Sequence, residues 1–435
     1  MSAELGSLLP SVGALDGEHT RRWVDVLAET ECPALTARRA RRSETSGAPQ
    51  DPIVWAEARG ANVRDVDGNV FVDMVAGFGV AALGHGHPAV RAAVAAQSER
   101  LLHAMGDVHP ADVKLALLER LARLVPIEAP RFVLGAHGAD AIEAALQSAL
   151  LFTKKPGVVA FEGGYHGLSL GALSVCGYQL GFRAPFAAKL DAHVRFVPYP
   201  RCADEVEPAL TALRAELGKG DVGAVIVEPV LGRGGVHVPP EGALAALSRA
   251  AKDAGALVIA DEIWTGLGRT GAWWAGEELA PDLLCLGKAL GGGLPISACA
   301  GTERVLRAWG APVGEAIRTA TFLGHPLACA AALAHLDALS AADAPAVARA
   351  HGASLRAAIT SRGLRVRGAG MALAVEIGQT ARTLRLVRAL LERGFITLPA
   401  GADAADLQLS PPLNLPAHLA EAFAGALVEA LEARP

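Results

Sequence analysis

The chain has 435 residues, of which 51% are hydrophobic and 20% charged, with a formal net charge of -5. That length accommodates a large core and fits two domains, or one large α/β unit with a smaller partner. The slightly acidic balance provides no field for binding a polyanion. The single basic cluster, Arg38-Arg39-Ala40-Arg41-Arg42, reads as a solvated helix face. Residues 1–23 lack a basic start joined to a long apolar stretch, and no later segment offers the roughly 20 apolar residues that span a bilayer. The expectation is a cytoplasmic protein, neither exported nor embedded. The six cysteines (Cys32, Cys176, Cys202, Cys285, Cys299 and Cys329) show neither a C-x-x-C nor a ligand spacing, as expected for reduced thiols.

Taken in chain order, Val63 to Asp73 alternates apolar and polar residues around Asp67-Gly68-Asn69, a β-hairpin pattern. His85 and His87 have a spacing that invites a metal, but no carboxylate or cysteine completes a motif; they read as structural, and no metal site is expected. Short apolar runs then alternate with helical patterns, as in a parallel sheet covered by helices. The predicted strands are Phe132–Leu134, Val158–Phe161, Val222–Val227, Ala256–Ala260 and Leu283–Leu286. Helices are predicted over Ala139–Phe152, Glu205–Leu217 and Glu241–Ala254. After about residue 325 the chain becomes alanine-rich helix, then short mixed strand and helix from Leu364. This places a large α/β domain at 61–320 and a smaller domain built from both chain ends, 1–60 and 321–435.

The segment "ADEIWTGLGRTG" (260–271) contains G-x-G-x-x-G at Gly266, Gly268 and Gly271. A dinucleotide site needs the first glycine directly off the strand, a helix opening inside the motif, and an acidic residue ending the next strand about 20 residues on. None of these holds, so the glycines read as a loop. Asp261-Glu262 remain, two charges at the exit of an apolar strand.

Sites in open parallel sheets form beyond the carboxyl ends of the strands. Three such ends carry chemistry: His137-Gly138-Ala139, Asp261 and Lys288. Lys288 and Asp261 make either a plain salt bridge or a site. The small residues Gly287 and Gly291-Gly292-Gly293 around Lys288, one of seven lysines, leave room for something bulky against its amine. A pyridoxal phosphate site needs four such parts: a lysine for the Schiff base, a carboxylate on the pyridine nitrogen, an aromatic over the ring and amides on the phosphate. Lys288 and Asp261 supply the first two. Tyr165, in Gly163-Gly164-Tyr165-His166-Gly167, is the natural stacking ring. Gly138-Ala139, opening a helix, offer amides and a positive dipole end.

The chain resembles the class III aminotransferases, pyridoxal phosphate enzymes of fold type I, over nearly its whole length. The matching stretches are "DVDGNVFVDMVAGFGVAALGHGHP", "GADAIEAAL", "FEGGYHGLSLGALS", "VIVEPVLGRGG", "ADEIWTGLGRTG", "GKALGGGLPISA" and "TFLGHPLACAAAL", in the family's order and spacing. The resemblance implies an α/β fold with a mainly parallel seven-stranded sheet covered by helices, plus a smaller α+β domain. It implies that Lys288 forms the Schiff base, that Asp261 partners the pyridine nitrogen, and that Tyr165 and Ile263 cover the two ring faces. Gly138 and Ala139 would bind the phosphate, and Thr321 would reach the phosphate of a neighbouring subunit in a homodimer with shared active sites. The implied activity moves an amino group from an ω-amine or amino acid to a 2-oxo acid; the same parts also serve isomerases, racemases or aminomutases.

Several positions depart from the family's pattern. His137-Gly138-Ala139 replaces a serine-glycine-threonine turn, and Trp264 stands where a glutamine commonly meets the ring hydroxyl. Gln408 occupies the place of an arginine that clamps the substrate carboxylate, and Arg233 that of the glutamate paired with it. Arg233 either meets a substrate carboxylate itself or points from a loop into solvent. His166 orders the loop of Tyr165, since Lys288 already serves as base. Phe78 either lines the substrate pocket or packs in a core.

Overall fold

The computed structural model describes residues 5–310 and 316–433. They form two compact units: the chain up to His87 together with the chain from Ala346, and the segment Pro88–Pro345. In chain order the strands are β1 (Trp55–Arg59), β2 (Asn62–Asp65), β3 (Val70–Asp73), β4 (Pro130–Gly135), β5 (Gly157–Phe161), β6 (Val194–Val197), β7 (Val222–Val227), β8 (Leu257–Asp261), β9 (Leu283–Leu286), β10 (Ser297–Thr302), β11 (Val366–Ala369), β12 (Ala372–Val375), β13 (Phe395–Ile396), β14 (Leu398–Ala400) and β15 (Asp406–Leu409).

The unit Pro88–Pro345 is built on a seven-stranded sheet in the order β4-β10-β9-β8-β7-β5-β6. β10 runs antiparallel to both neighbours, and the other strands run parallel. The five strands expected from sequence are all present. Their apolar runs follow from burial on both faces: β5, β7, β8 and β9 contain no exposed residue. Two strands have no such signal. β6, Val-Arg-Phe-Val, lies at the sheet edge. β10, Ser-Ala-Cys-Ala-Gly-Thr, has none of the branched and aromatic residues typical of strands before its last residue, Thr302; its position between β4 and β9 holds it in place.

Helix Gly138–Thr153 follows β4 and lies on this sheet. Its alanines Ala141, Ala144, Ala145 and Ala149 are buried with Ile226, Ile259, Cys285 and Cys299. Small side chains allow close approach, and the Cys285 thiol lies 3.5 Å from the Ala141 carbonyl. Because the strands are parallel, the carboxyl ends of β4, β5, β7, β8 and β9 share one edge.

The other unit has two sheets, β1-β2-β3-β13 and β11-β12-β15-β14. The expected hairpin is β2 and β3; Asp65 Oδ1 accepts the amides of Asp67 (3.0 Å) and Asn69 (2.8 Å) to close its turn, with Gly68 at φ 88°. β3 pairs in parallel with β13 through Phe395 and Val72. That pairing ties the hairpin to the C-terminal segment, so the division falls at His87 and not near residue 60. The second division falls at Pro345 and not near 320, because helix Pro326–Ala341 packs on helices Pro88–Arg100 and Asp112–Ala122. Its buried His335 donates from Nδ1 to the Ala289 carbonyl at 2.5 Å. Among the described residues no single helix is long and apolar enough to cross a membrane.

Candidate active site

β8 ends in Asp261, which is buried. Its Oδ2 lies 2.7 Å from His166 Nδ1, and its Oδ1 accepts the Ile263 amide at 3.1 Å. His166 therefore does more than order its loop: it buttresses the strand-end carboxylate directly. β9, the neighbour of β8, ends one residue before Gly287, and Lys288 follows in the left-handed region at φ 42°. This is a strained setting for a lysine.

The other expected residues converge on the same edge. A Cβ on Gly138 would stand 3.0 Å from Ile263 Cδ1, and one on Gly287 would stand 3.2 Å from Ile263 Cγ2 and 3.7 Å from Gly138 Cα. A Cβ on Gly167 would meet that of Ala139 at 3.0 Å. Ends of β4, β5, β8 and β9 thus meet around Ile263, with Tyr165 in the loop after β5. Helix Gly138–Thr153 begins where the sequence placed its start. Asp140 Oδ2 takes the amides of Ala136 and His137 at 2.8 and 3.0 Å, fixing the turn so that the next amides, of Gly138 and Ala139, open the helix as donors for an anion. A partly buried lysine, a carboxylate, a branched apolar side chain and a helix N-terminus in one cluster fit pyridoxal phosphate.

Electrostatics at this edge follow from desolvation. Burial holds the Lys288 ammonium below the ordinary lysine range, with Arg233 and Arg269 adding to the effect and Asp261 and Glu228 opposing it. Burial alone would lower His166, but its hydrogen bond to Asp261 and the charges of Asp261 and Glu228 outweigh that and raise it, favouring imidazolium. Burial raises the Tyr165 phenol, against Arg233.

Arg233 does not point into solvent. Its guanidinium lies 4.7 Å from the Tyr165 ring centroid, 5.1 Å from Tyr178 and 5.5 Å from Phe182. Trp264 is buried against the backbone beside it; a Cβ on Gly232 would fall 2.8 Å from the indole Cε3. Thr321 is exposed, in a segment anchored by Arg318 to Gln147 Oε1 (2.6 Å) and the Asp140 carbonyl (2.8 Å).

Phe78 and Gln408 belong to the other unit. Phe78 is 68% exposed with φ 64°, which overturns the core-packing reading. Gln408 lies in β15, paired with Ala374 and Leu398. His85 is structural: Nε2 lies 2.8 Å from Asp73 Oδ2, and the ring meets Trp55 edge-on. Among the described residues no cluster of histidine, cysteine and carboxylate fits a metal ion.

At this sheet edge two further buried carboxylates, Glu262 and Glu228, have no role assigned from the sequence. Glu262 accepts the Thr265 hydroxyl and the Gly276 amide (2.6 Å), closing the loop that the glycines form. Glu228, at the end of β7, accepts the Tyr165 amide at 2.6 Å and the Gly232 amide at 3.0 Å. The available signal was the one that marked Asp261, a carboxylate directly after a fully apolar strand.

The model of the family "Aminotransferase class-III" matches residues 45–431. Acetylornithine aminotransferase of Methanopyrus kandleri is 35% identical over 388 residues, covering 88% of this chain and 95% of the relative. The same enzyme of Methanosarcina mazei is 35% identical over 334 residues, 75% of this chain and 80% of the relative. Among solved structures, ornithine aminotransferase from Toxoplasma gondii superimposes with a TM-score of 0.82 at 27% identity, covering 96% of each chain. A PLP-bound amine transaminase from an uncultivated Pseudomonas species gives 0.81 at 29% identity, covering 88% of this chain and 95% of that one.

Burial pushes Glu262 up to about 7, against its bonds from Thr265 and Gly276. The folded protein therefore holds this proton more tightly than the unfolded chain, and stability falls as pH rises from about 4.5 to about 7. Glu262→Gln removes that slope. The stability of the variant relative to wild type should improve between pH 5 and pH 8 by up to about 3 kcal/mol, read by urea unfolding at both values. A pH-independent difference would contradict the assignment.

Proposed function

The chain belongs to the class-III aminotransferases and works with pyridoxal phosphate, and from that premise we propose that Lys288 is its Schiff-base residue, in the transfer of an amino group from an ω-amine or amino acid to a 2-oxo acid. The observation that carries this reading is Asp261, buried against His166 at the end of the strand next to the one that leads to Lys288. When bound, pyridoxal phosphate supplies the carbonyl that takes up the amino group and the ring that stabilises negative charge at the substrate carbon.

Asp261 would hold a proton on the pyridine nitrogen, and His166, 2.7 Å from its Oδ2, fixes the carboxylate in place for that task. Tyr165 and Ile263 hold the ring between them, and the amides of Gly138 and Ala139 take the phosphate. The Lys288 amine, uncharged more readily than an exposed lysine because of burial, would carry the cofactor at rest and take the proton from the substrate carbon during transfer. Arg233 is the cation for a substrate carboxylate: the aromatic rings around it hold the guanidinium still, and Gln408, at the family's usual arginine position, carries no charge for that task. The relatives' names, acetylornithine and ornithine aminotransferase, fit an amino-acid donor, whereas amine transaminase fits a donor without a carboxylate. Thr321 completes the phosphate site of a second subunit in a homodimer, and the exposed Ile317 and Phe322 beside it suit such a surface. Six free cysteines are in keeping with the cytoplasm.

Borohydride reduction of the cofactor-loaded protein should fix the cofactor's mass on the peptide carrying Lys288; a label on another lysine overturns the assignment. Arg233→Ala should lower kcat/KM by about 10- to 100-fold for carboxylated amines, mainly through KM, and change little for carboxylate-free ones, whereas an equal loss on both sinks the clamp. Shared sites are tested by mixing Lys288→Ala and Thr321→Ala subunits, each impaired alone. Hybrids should regain activity, because one site then receives both residues, and failure of hybrid dimers to do so counts against a shared phosphate site.

A further inference from the structure

Glu228 sits at the carboxyl end of β7 with its side chain buried. Its two oxygens go to different loops: Oε1 accepts the Tyr165 amide at 2.6 Å, in the loop after β5, and Oε2 accepts the Gly232 amide at 3.0 Å, in the loop after β7. Its own backbone is pinned, since the buried Tyr199 hydroxyl lies 3.1 Å from both the Glu228 and Pro229 carbonyls. The loops also touch directly. A Cβ on Gly234 would lie 2.4 Å from the Gly163 carbonyl oxygen, and one on Gly163 would lie 3.2 Å from Leu231 Cδ1. The residue after Gly232 is Arg233, whose guanidinium stacks back over Tyr165.

We infer that Glu228 is a positioning residue for specificity: its carboxylate fastens the backbone of the ring-stacking Tyr165 to the loop of Arg233, so that cofactor ring and substrate cation keep one fixed separation. This rests on the proposed roles of Tyr165 and Arg233. The chemistry is particular to a carboxylate, the one side chain of this length that accepts on both oxygens. Glutamine of the same shape accepts on one and presents an N–H to the other amide. Burial, opposed by His166 and reinforced by Asp261, pushes Glu228 up to about 7, so the exchange is read at pH 8, where both oxygens accept and the charge-assisted bonds from the two amides resist local opening. Trp264 behind Gly232 blocks retreat of the loop in one direction, so release of the amide from Glu228 leaves Arg233 free to swing on its backbone.

The test is amide hydrogen exchange on full-length Glu228→Gln, with and without pyridoxal phosphate, combined with steady-state kinetics. Exchange should rise about tenfold or more in both segments, 161–168 and 228–236, while the strands 257–261 and 283–286 keep their protection. The kcat/KM for a carboxylated amine should fall about tenfold further than that for a carboxylate-free amine, the excess appearing in KM, because the lost charge beside Lys288 and His166 acts on both substrates alike. Glu228→Asp, one methylene shorter, reaches one amide and not both, and should show the same loss of discrimination with a single loosened segment. The proposal is overturned if Glu228→Gln loosens neither loop or one alone, or if protection falls throughout the unit in both variants. If both loops loosen while Arg233→Ala shows no preference between the two amines, the positioning stands and the carboxylate clamp fails.

Discussion

A carboxylate at the end of a strand that is buried on both faces needs a hydrogen-bond partner on each oxygen. Asp261 has both: imidazole on one oxygen, the Ile263 amide on the other. Everything else at this sheet edge is arranged around that charge. His166 is raised toward its cationic form by Asp261 and Glu228 despite its burial, and Lys288 is drawn back toward the ammonium by the same two carboxylates while desolvation and two arginines push it the other way. Lys288 thus stands between opposing charges at a desolvated strand end.

The balance depends on the exclusion of water, and the fold supplies this by close approach. Gly138 and Gly287 lie against Ile263 so closely that a methyl on either would press on its side chain, and alanines let helix Gly138–Thr153 settle on the sheet. The same closeness brings the helix N-terminus to the edge where Lys288 emerges.

Much of this was legible before the structure because its physics is local. Strands buried on both faces announce themselves as apolar runs, and a charge directly after one is conspicuous; Asp261 and Lys288 were found that way. β10 was not, because Ser297, Ala298, Cys299, Ala300 and Gly301 owe their strand conformation to the ladders on either side and not to their own preference. Glu228 carried the strand-exit signal, but which amides a carboxylate takes is decided by loops some 60 residues away. The three rings around Arg233 were hidden for the same reason. Unit boundaries misled because a parallel pairing between Val72 and Phe395 leaves no trace in either stretch alone.

The departures from the family's pattern around the substrate are linked by packing. Trp264 in place of a smaller polar residue fits because position 232 has no side chain: a Cβ there would sit 2.8 Å from the indole. With the indole against its backbone and Glu228 on its amide, Gly232 sends the chain on to Arg233 in a direction that stacks the guanidinium on Tyr165. A glutamate at position 233 would gain nothing from those rings, whose faces carry negative charge and favour a cation by about 0.5–2 kcal/mol. The indole against Gly232, the amide bond to Glu228 and the three rings thus fix together where the Arg233 guanidinium stands.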